Sequence, residues 1–309
     1  MTRLGNRELA TGLRAKLKLP VIAGPMFLVS GPELVIACCK AGVVGSFPTL
    51  NARTPAILDE WLARITAETA AAAPFAANLI VHRSNTRLDD DVALVASHRV
   101  PVVIASVGSP AGVVAKVHGY GGMVLSDVAS LKHARRAAEA GADGLILLCA
   151  GSGGNTGWLN PFAFVGAVRE FFDGPVVLAG AISRGSYIHA AESIGADLAY
   201  VGTSFVATRE SLAGDNYRRM LVDSNADDIV LTTEITGIAA NMLRPSLERA
   251  GFKAGQKNEG FSVLKEMSSL TAWRDIWSAG HGVGDVARVE TVGDFVLRLK
   301  QDYDAARSA

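Results

Sequence analysis

The loop at residues 151–157 (GSGGNTG) is the part of the sequence best suited to chemistry. It directly follows an apolar strand at 145–148, and two further strand-and-glycine units end at Gly180-Ala181 and Gly202-Thr203. Because glycine has no side chain, such loops let a ligand approach the backbone N–H groups closely. Loops after the last strands of parallel α/β barrels commonly bind phosphate in this way. The spacing therefore predicts a site for a phosphate-bearing ligand.

The elements that must position these loops form one unit repeated eight times. Short runs too uniformly apolar for exposed strands begin near Leu19, Val43, Pro74, Pro101, Gly121, Asp143, Pro175 and Asp197. Strands buried on both faces have this composition. Stretches of helical period, such as residues 131–140, separate them and end in glycine, the usual residue after a helix. The alternation predicts an α/β fold, a (β/α)8 TIM barrel.

The repeat stops after the eighth strand. A helix is predicted from about Phe205 to Asp223, whereas residues 229–240 fit none of the repeat units and indicate an insertion. We expect a barrel at 1–210, completed by a C-terminal helix within 285–309, and a small, mostly helical lid or substrate subdomain at 211–284.

Composition limits the possible functions. Of 309 residues, 49% are hydrophobic, which is enough to fill the core of one large domain, and 30 basic residues balance 30 acidic ones. No run of like charges occurs, so a nucleic-acid partner is not expected, and a small molecule is the predicted substrate. The three cysteines form no disulfide framework, and no stretch of about 20 apolar residues or export signal is found. These features predict a cytoplasmic protein. No spacing of His, Asp or Glu residues resembles a metal site, so metal dependence is not expected.

Six segments resemble, in order, the motifs of the nitronate monooxygenases, formerly called 2-nitropropane dioxygenases. They lie at residues 19–26, 75–79, 151–157, 178–182, 200–210 and 276–284. The resemblance covers nearly the whole chain and implies an FMN-dependent TIM barrel with a lid. One phosphate cradle without a Gly-x-Gly-x-x-Gly unit for an adenosine half also favours FMN over FAD.

The resemblance further implies roles for the strand ends, which are expected to meet at one face. The residues expected to line the isoalloxazine and ribityl chain are Ala23, Gly24, Pro25, Met26 and Asn78. Those expected to hold the phosphate are Gly180, Ala181, Gly202 and Thr203, while Ala279, Gly280, His281 and Gly282 are expected to close over the flavin. Asp127, Ser152, Gly153 and Gly154 belong to strand-end loops at the same face and complete the expected cofactor site.

Departures from the family pattern concern catalysis. Nitronate-oxidising relatives look like Gly-Gly-His-x-Gly after the sixth strand, with a histidine that manages the substrate proton, but this chain has Asn155. An amide cannot act as a general base. Asp127 stands where several relatives carry lysine, which changes the charge near the flavin. His281 is the candidate for a relocated base, and His82, after the third strand, is a second candidate that could face the substrate.

Three readings of function remain open. The first is FMN-dependent oxidation of a nitronate or related carbanion, with dioxygen reoxidising the flavin. The second is a flavin dehydrogenase or reductase of an enone or acyl-CoA thioester, with NADH or NADPH as electron partner and with Lys253 and Lys257 near a carrier's phosphates. The third is a flavin-binding protein without turnover. The sequence allows a homodimer but does not identify the oligomeric state.

Overall fold

Eight parallel strands form a closed barrel in the computed structural model, which describes residues 4–235, 237–252 and 274–309. Numbered in chain order, the barrel strands are β1 (Val21–Ala23), β2 (Gly45–Pro48), β3 (Phe75–Ile80), β4 (Val102–Ser106), β5 (Met123–Val128), β6 (Gly144–Leu148), β8 (Val176–Ala179) and β9 (Leu198–Val201); β7 (Gly154–Asn155) lies outside the barrel. Their order is β1-β9-β8-β6-β5-β4-β3-β2. Hydrogen bonds from Ala23 N–H to the Val44 carbonyl (2.8 Å) and from Val44 N–H to the Val21 carbonyl (3.0 Å) close the ring.

The predicted barrel is confirmed, and each barrel strand begins within two residues of its expected start. All residues of β4 and β8 are buried. One cluster of buried apolar residues includes Ile22, Ile104, Leu125, Ile146 and Val177 from five of the barrel strands. The continuous apolar runs arise because both faces of the sheet are covered, one by the barrel interior and the other by helices.

Twelve helices are described. They are α1 (Arg7–Arg14), α2 (Pro32–Ala41), α3 (Pro55–Thr69), α4 (Leu88–Ser97), α5 (Ala111–His118), α6 (Leu131–Glu139), α7 (Pro161–Arg169), α8 (Gly185–Ser193), α9 (Thr203–Val206), α10 (Asp215–Asp223), α11 (Arg244–Arg249) and α12 (Val292–Ser308). The side chains of Thr54, Ser130, Asn160 and Thr291 accept backbone N–H bonds at the starts of α3, α6, α7 and α12. Such caps stabilise a helix by about 1 kcal/mol each. The C-terminal helix α12 packs against α8 and α2, as expected for the element that completes the barrel.

The continuous helix predicted from Phe205 to Asp223 is wrong. The short helix α9 ends at Val206, and α10 begins only at Asp215. Between them, the Thr208 hydroxyl donates to the Phe205 carbonyl and the Ser211 hydroxyl donates to the Val206 carbonyl. These local side-chain bonds compete with helix continuation, so the helical period of the apolar residues is not realised across this segment.

A small antiparallel sheet lies beside the barrel mouth and was not anticipated from the sequence. The strand β10 (Ile229–Thr232) pairs with β11 (Ala240–Leu243), which in turn pairs with β7. The lid segment within the described residues therefore combines helices with two strands of this sheet. Since β7 belongs to the loop after β6, this sheet joins the lid to the glycine-rich loop of the barrel.

The three cysteines are buried and unpaired. Cys38 and Cys39 are buried in α2, and Cys149 is buried just after β6, all with free thiols. Burial raises the pKa of the Cys149 thiol to about 12, which makes it unreactive. None of the helices in the described ranges combines the length and apolar character that crossing a bilayer requires.

Candidate active site

A cavity of about 220 Å³ opens at the carboxyl ends of the barrel strands. Its wall combines residues at or just after the ends of all eight barrel strands with parts of the lid, among them Tyr217 and Ser278. Sixteen residues predicted from the sequence line it, namely Gly24, Pro25, Met26, Asn78, Asp127, Ser152, Gly153, Gly154, Asn155, Gly180, Ala181, Gly202, Thr203, Ala279, Gly280 and Gly282. The fold thus brings together residues that are up to 258 positions apart, from Gly24 to Gly282.

Three of the predicted residues do not line this cavity. Ala23 is buried within β1, where its carbonyl accepts a bond from the Ser46 hydroxyl. His82 lies in the loop after β3, with its Nδ1 2.7 Å from the Ser84 hydroxyl. His281 is exposed, and its ring lies over Gly151, to whose carbonyl the His281 N–H donates at 3.0 Å. The two histidines therefore lie outside the cavity wall, and their proposed proton transfer stays an untested prediction.

The glycine-rich loop after β6 is in direct backbone contact with the lid. A Cβ added at Gly153 would lie 2.6 Å from the Gly280 nitrogen, so no larger residue fits there without movement. The Asn241 amide donates to the Ser152 carbonyl (2.7 Å), and the Gly280 N–H donates to the Thr203 hydroxyl (2.9 Å). These bonds fix the loop, the lid and the end of β9 relative to one another.

The ends of β8 and β9 form an open cradle of backbone. Ala181 has a φ of +54° and Gly180 one of +131°, so a left-handed backbone turns the chain sharply after β8. A Cβ added at Gly202 would meet nothing closer than the Met26 sulfur at 3.8 Å. The glycine is thus not needed for protein packing, and the space beside it belongs to the cavity.

An ionic latch follows this cradle in the chain and is formed by Ser183, Arg184 and Asp285. The Ser183 hydroxyl and the Arg184 guanidinium both donate to the Asp285 carboxylate, at 2.5 Å and at 2.5–2.9 Å. Burial raises the pKa of Asp285, but the bonds from Arg184 and Ser183 outweigh it and leave the pKa below its ordinary value. The latch joins the loop after β8 to the turn at His281–Asp285.

Asn51 organises the loop after β1, and the sequence reasoning missed it. Its side-chain oxygen accepts from Leu28 N–H (2.9 Å), and its amide donates to the carbonyls of Met26 (3.0 Å) and Ser30 (2.8 Å). Leu28 has a φ of +62°, an unusual conformation for leucine. The buried Asn51 therefore holds a strained loop that presents Gly24–Phe27 to the cavity.

Asp127 carries the one carboxyl group among the described residues that line the cavity. Burial raises its pKa to about 6, although the Ser106 side chain and the Val107 N–H stabilise the charged form and act against this rise. Asn78 donates to the Ser106 hydroxyl at 2.6 Å. Val107 has a φ of +59°, which is a strained conformation for a β-branched residue. A polar network spanning β3, β4 and β5 therefore positions this carboxyl.

Two tyrosines complete the wall. Burial and the nearby Asp127 raise the pKa of Tyr200 well above its ordinary value. The Tyr217 hydroxyl donates to the Ser278 carbonyl at 2.5 Å, and burial raises its pKa to about 12. The Tyr217 ring stacks on Trp277 with 4.8 Å between ring centres. Both phenols are therefore neutral at physiological pH.

Ser106 and Tyr200 carry a signal in the sequence. Each lies at or near the carboxyl end of an apolar strand, as the predicted site residues do. Tyr217 and Asn51 carry no comparable signal, because a helix and a short turn bring them to the site.

The chemistry of the lining residues decides what kind of group this cavity can hold. Open backbone at two neighbouring strand ends suits a phosphate, and apolar and small residues around it suit a planar ring. The described residues contain no group of three or more His, Cys, Asp or Glu side chains arranged to hold a metal ion. A flavin mononucleotide therefore fits the residues present.

Comparisons with known proteins identify the family and support the fold. The family model described as nitronate monooxygenase matches residues 82–301. The chain is 30% identical over 276 residues, covering 85% of it and 76% of the relative, to a Mycobacterium tuberculosis protein named (3aS,4S,5R,7aS)-5-hydroxy-7a-methyl-1-oxo-octahydro-1H-indene-4-carboxyl-CoA dehydrogenase. It is 28% identical over 296 residues, covering 78% and 79% of the two chains, to a nitronate monooxygenase of Paraburkholderia phytofirmans. A solved nitroalkane oxidase from Streptomyces ansochromogenes superimposes with a TM-score of 0.81 at 26% identity, covering 96% of this chain and 99% of that one.

Proposed function

Because the chain belongs to the nitronate monooxygenase family and is therefore an oxidoreductase, we propose that it uses FMN to oxidise a nitronate or related carbanion, with dioxygen as final electron acceptor. The observation that carries this proposal is the backbone cradle at Gly180-Ala181 and Gly202-Thr203, which faces the same cavity as the glycine-rich loop. Backbone N–H groups at strand ends bind phosphate without a cationic side chain.

The chain's own residues would bind and shield the cofactor. The cradle would hold the phosphate, while Gly24–Met26 and Asn78 would line the ring and the ribityl chain. When bound, FMN would supply an electron acceptor that dioxygen can reoxidise. Ala279 and Gly280, fixed by the bond to Thr203, would cover the site and exclude water, which strengthens polar interactions inside it.

Asn155 would orient the substrate. Its side-chain oxygen is buried and has no hydrogen-bond partner. Leaving a buried polar atom unpaired costs about 1–3 kcal/mol, and a ligand hydroxyl or N–H that donates to this oxygen would remove that cost. The NH2 group of the same amide would donate to the oxygens of a nitronate. Because an amide does not titrate, Asn155 would position the substrate without taking its proton.

The second candidate is a flavin dehydrogenase or reductase of an enone or an acyl-CoA thioester. The relative named as a carboxyl-CoA dehydrogenase favours it, as does the absence of Lys, Arg and His from the described residues lining the cavity. Lys253 and Lys257, suggested as carrier contacts, lie outside the described residues. Arg249, which precedes these two lysines in the chain, packs its guanidinium 3.7 Å from the centre of the Trp277 ring.

Anaerobic reduction of the FMN-loaded protein separates the two candidates. Bleaching of the flavin by propionate-3-nitronate or an alkyl nitronate, followed by reoxidation with dioxygen, supports the first. Bleaching only by NADH, NADPH or an acyl-CoA thioester supports the second. If no carbon acid, nicotinamide or thioester reduces the bound flavin, both candidates are wrong.

The cofactor itself gives a separate prediction. The purified protein should be yellow and should release FMN, not FAD, on denaturation, because the cavity has one phosphate cradle. Chromatography of the released flavin measures this. A protein that releases FAD, or a colourless protein that does not take up FMN, contradicts the assignment.

Oligomeric state and cellular location stay predictions from the sequence. Light scattering of the FMN-loaded protein tests the homodimer, and fractionation of the producing cell tests the cytoplasmic location.

A further inference from the structure

The cavity wall offers a proton acceptor that the sequence reasoning did not assign. We propose that Asp127 accepts the carbon-bound proton of a neutral substrate, so that this chain generates the carbanion on which the proposed function acts. The inference rests on that proposed function and narrows its substrate class to neutral carbon acids, such as nitroalkanes or thioesters with an acidic α-hydrogen.

The position of Asp127 suits this role. It lies near the carboxyl end of β5, is only partly buried by the protein and faces the cavity. Of the roughly four acceptor positions of a carboxylate, the Ser106 side chain and the Val107 N–H occupy two. The oxygens thus keep acceptor capacity toward the cavity.

The partners of Asp127 also limit its movement. The Asn78 amide donates to Ser106 and to the Ile104 carbonyl, at 2.6 Å and 3.1 Å. Val107 contributes its N–H from a strained left-handed conformation, which persists only where surrounding contacts impose it. A carboxylate held from two sides in this way has the fixed orientation that a general base requires.

Other groups in the described wall do not serve as bases. The remaining titratable side chains that line it are Tyr200 and Tyr217, and burial keeps both protonated. The charge of Asp127 adds to the burial that raises the pKa of Tyr200. No cation lies among the described lining residues to hold Asp127 permanently charged, and its pKa of about 6 lets it exchange a proton near neutrality.

The proton transfer balances without a further reactant. The substrate C–H bond breaks, an O–H bond forms on Asp127, and the electron pair remains on the substrate carbon. The resulting carbanion is the species whose electrons the proposed oxidation removes. Solvent takes the proton from Asp127 when the substrate or product leaves.

The same carboxylate disfavours substrates that arrive as anions. A negative charge in a partly desolvated cavity repels a second one, and no described Lys, Arg or His side chain lines the wall to offset it. A substrate that enters neutral avoids this repulsion. Its charge appears only after its proton has moved to Asp127.

The first test needs no turnover. The visible spectrum of the FMN-loaded protein should change between pH 4.5 and 8 with a midpoint near the pKa of Asp127, about 6. Asp127→Asn should abolish the transition, while Asp127→Glu should keep one at a shifted midpoint. Asp89→Asn removes a carboxyl group that is 97% exposed in α4 and should leave the transition unchanged. A transition that survives in Asp127→Asn, or none in the wild type, overturns the proposal.

The second test compares a neutral nitroalkane with its preformed nitronate in anaerobic flavin reduction. Asp127→Asn should slow reduction by the nitroalkane by about 10²–10⁴-fold, the usual contribution of a general base. Reduction by the nitronate should be unchanged or faster, because no proton must be removed and a repelling charge is gone. For the wild type, the rate with nitroalkane should rise with pH through about 6.

The outcomes separate this inference from the proposed function. Equal losses with both substrates, or no loss with the nitroalkane, reject Asp127 as the base while flavin oxidation of carbanions stands. If FMN binds but no carbon acid reduces it in the wild type, the proposed function fails, and the pH transition still decides whether Asp127 titrates beside the flavin. If Asp127→Asn does not bind FMN, Asp127→Glu is measured in its place, since it retains the carboxyl group.

Discussion

Asp127 and Asn155 both face the cavity and differ in what they can do chemically. Asp127 titrates, whereas Asn155 only donates and accepts hydrogen bonds. The resemblance to the nitronate monooxygenases implies a histidine that manages the substrate proton at the position of Asn155. The chain thus keeps a polar side chain at that position and carries the titratable group on β5 instead of on the glycine-rich loop.

This division of roles predicts a rescue. In an Asp127→Asn background, Asn155→His should restore part of the flavin reduction by a neutral nitroalkane, because imidazole supplies a new base at the cavity wall. The pH dependence should then follow the histidine, whose ordinary pKa is about 6.5. Stopped-flow reduction measured against pH checks this. An inactive double variant that still binds FMN and reacts with nitronate would show that Asn155 does not face the substrate carbon.

Gly202 tests the phosphate cradle at the level of one residue. Gly202→Leu should weaken FMN binding by about 2–4 kcal/mol, because the side chain fills space in which backbone N–H groups would bond the charged phosphate. Folding should be little affected, since an added Cβ meets only the Met26 sulfur at 3.8 Å and the φ is −112°. Equilibrium titration with FMN measures the change.

The matched control is Gly112→Leu. Gly112 lies on α5 with nothing within 4 Å of an added Cβ, so this variant should bind FMN as the wild type does and gain some helix stability. A folded Gly202→Leu variant with unchanged affinity would place the phosphate elsewhere.

At the level of elements, the Asp285 latch joins the loop after β8 to the turn that begins at His281. Asp285→Ala should lower the free energy of unfolding by about 1 kcal/mol at pH 7, because the bonds from Ser183 and Arg184 are lost but are partly screened by solvent. It should also weaken FMN binding, because Ser183, which loses its bond to Asp285, lines the cavity two residues after Ala181.

The pH dependence of this effect has a defined sign. The folded-state pKa of Asp285 lies below its ordinary value of 3.8, so its stabilisation is present above that value and is lost as pH falls through the folded pKa. The difference in melting temperature between the wild type and Asp285→Ala should therefore be constant from pH 7 to 5 and should shrink in stronger acid. A difference that grows on acidification would assign the stabilisation to another group.

For the whole molecule, the question is how the lid and the barrel act together. The sheet of β7, β10 and β11 includes a strand from the barrel loop, and Asn241 on β11 donates to the Ser152 carbonyl. The boundary proposed for the lid, 211–284, therefore separates segments that share a sheet. We infer that the lid and the glycine-rich loop form one structural unit at the cavity.

Asn241→Ala tests this coupling. Loss of a buried amide bond should destabilise the protein by about 1–3 kcal/mol, and FMN affinity should fall as well, because the carbonyl of Ser152 loses its fixed position. Thermal unfolding with and without FMN separates the two effects. If stability falls while FMN affinity is unchanged, the lid does not set the position of the loop.

The sequence by itself determined the barrel and most of the residues at its mouth. Uniformly apolar strands and small residues at their ends are local features of the sequence. In a parallel barrel the carboxyl ends of all strands lie at one face, so a residue that directly follows a strand lies at the barrel mouth. This is why Gly180, Gly202 and Asn78 were correctly placed at the cavity.

Only the tertiary structure decided which of the candidate bases reach the cavity. It left His281 and His82 outside the wall and kept Asp127, which the sequence had already assigned to the site, as the one carboxyl group among the described lining residues. The direction in which a loop side chain points depends on contacts distant in sequence. The break between α9 and α10 and the pairing of β7 with β11 depend on such contacts too. The raised pKa of Asp127 arises from burial by the assembled barrel, a property that no local pattern contains.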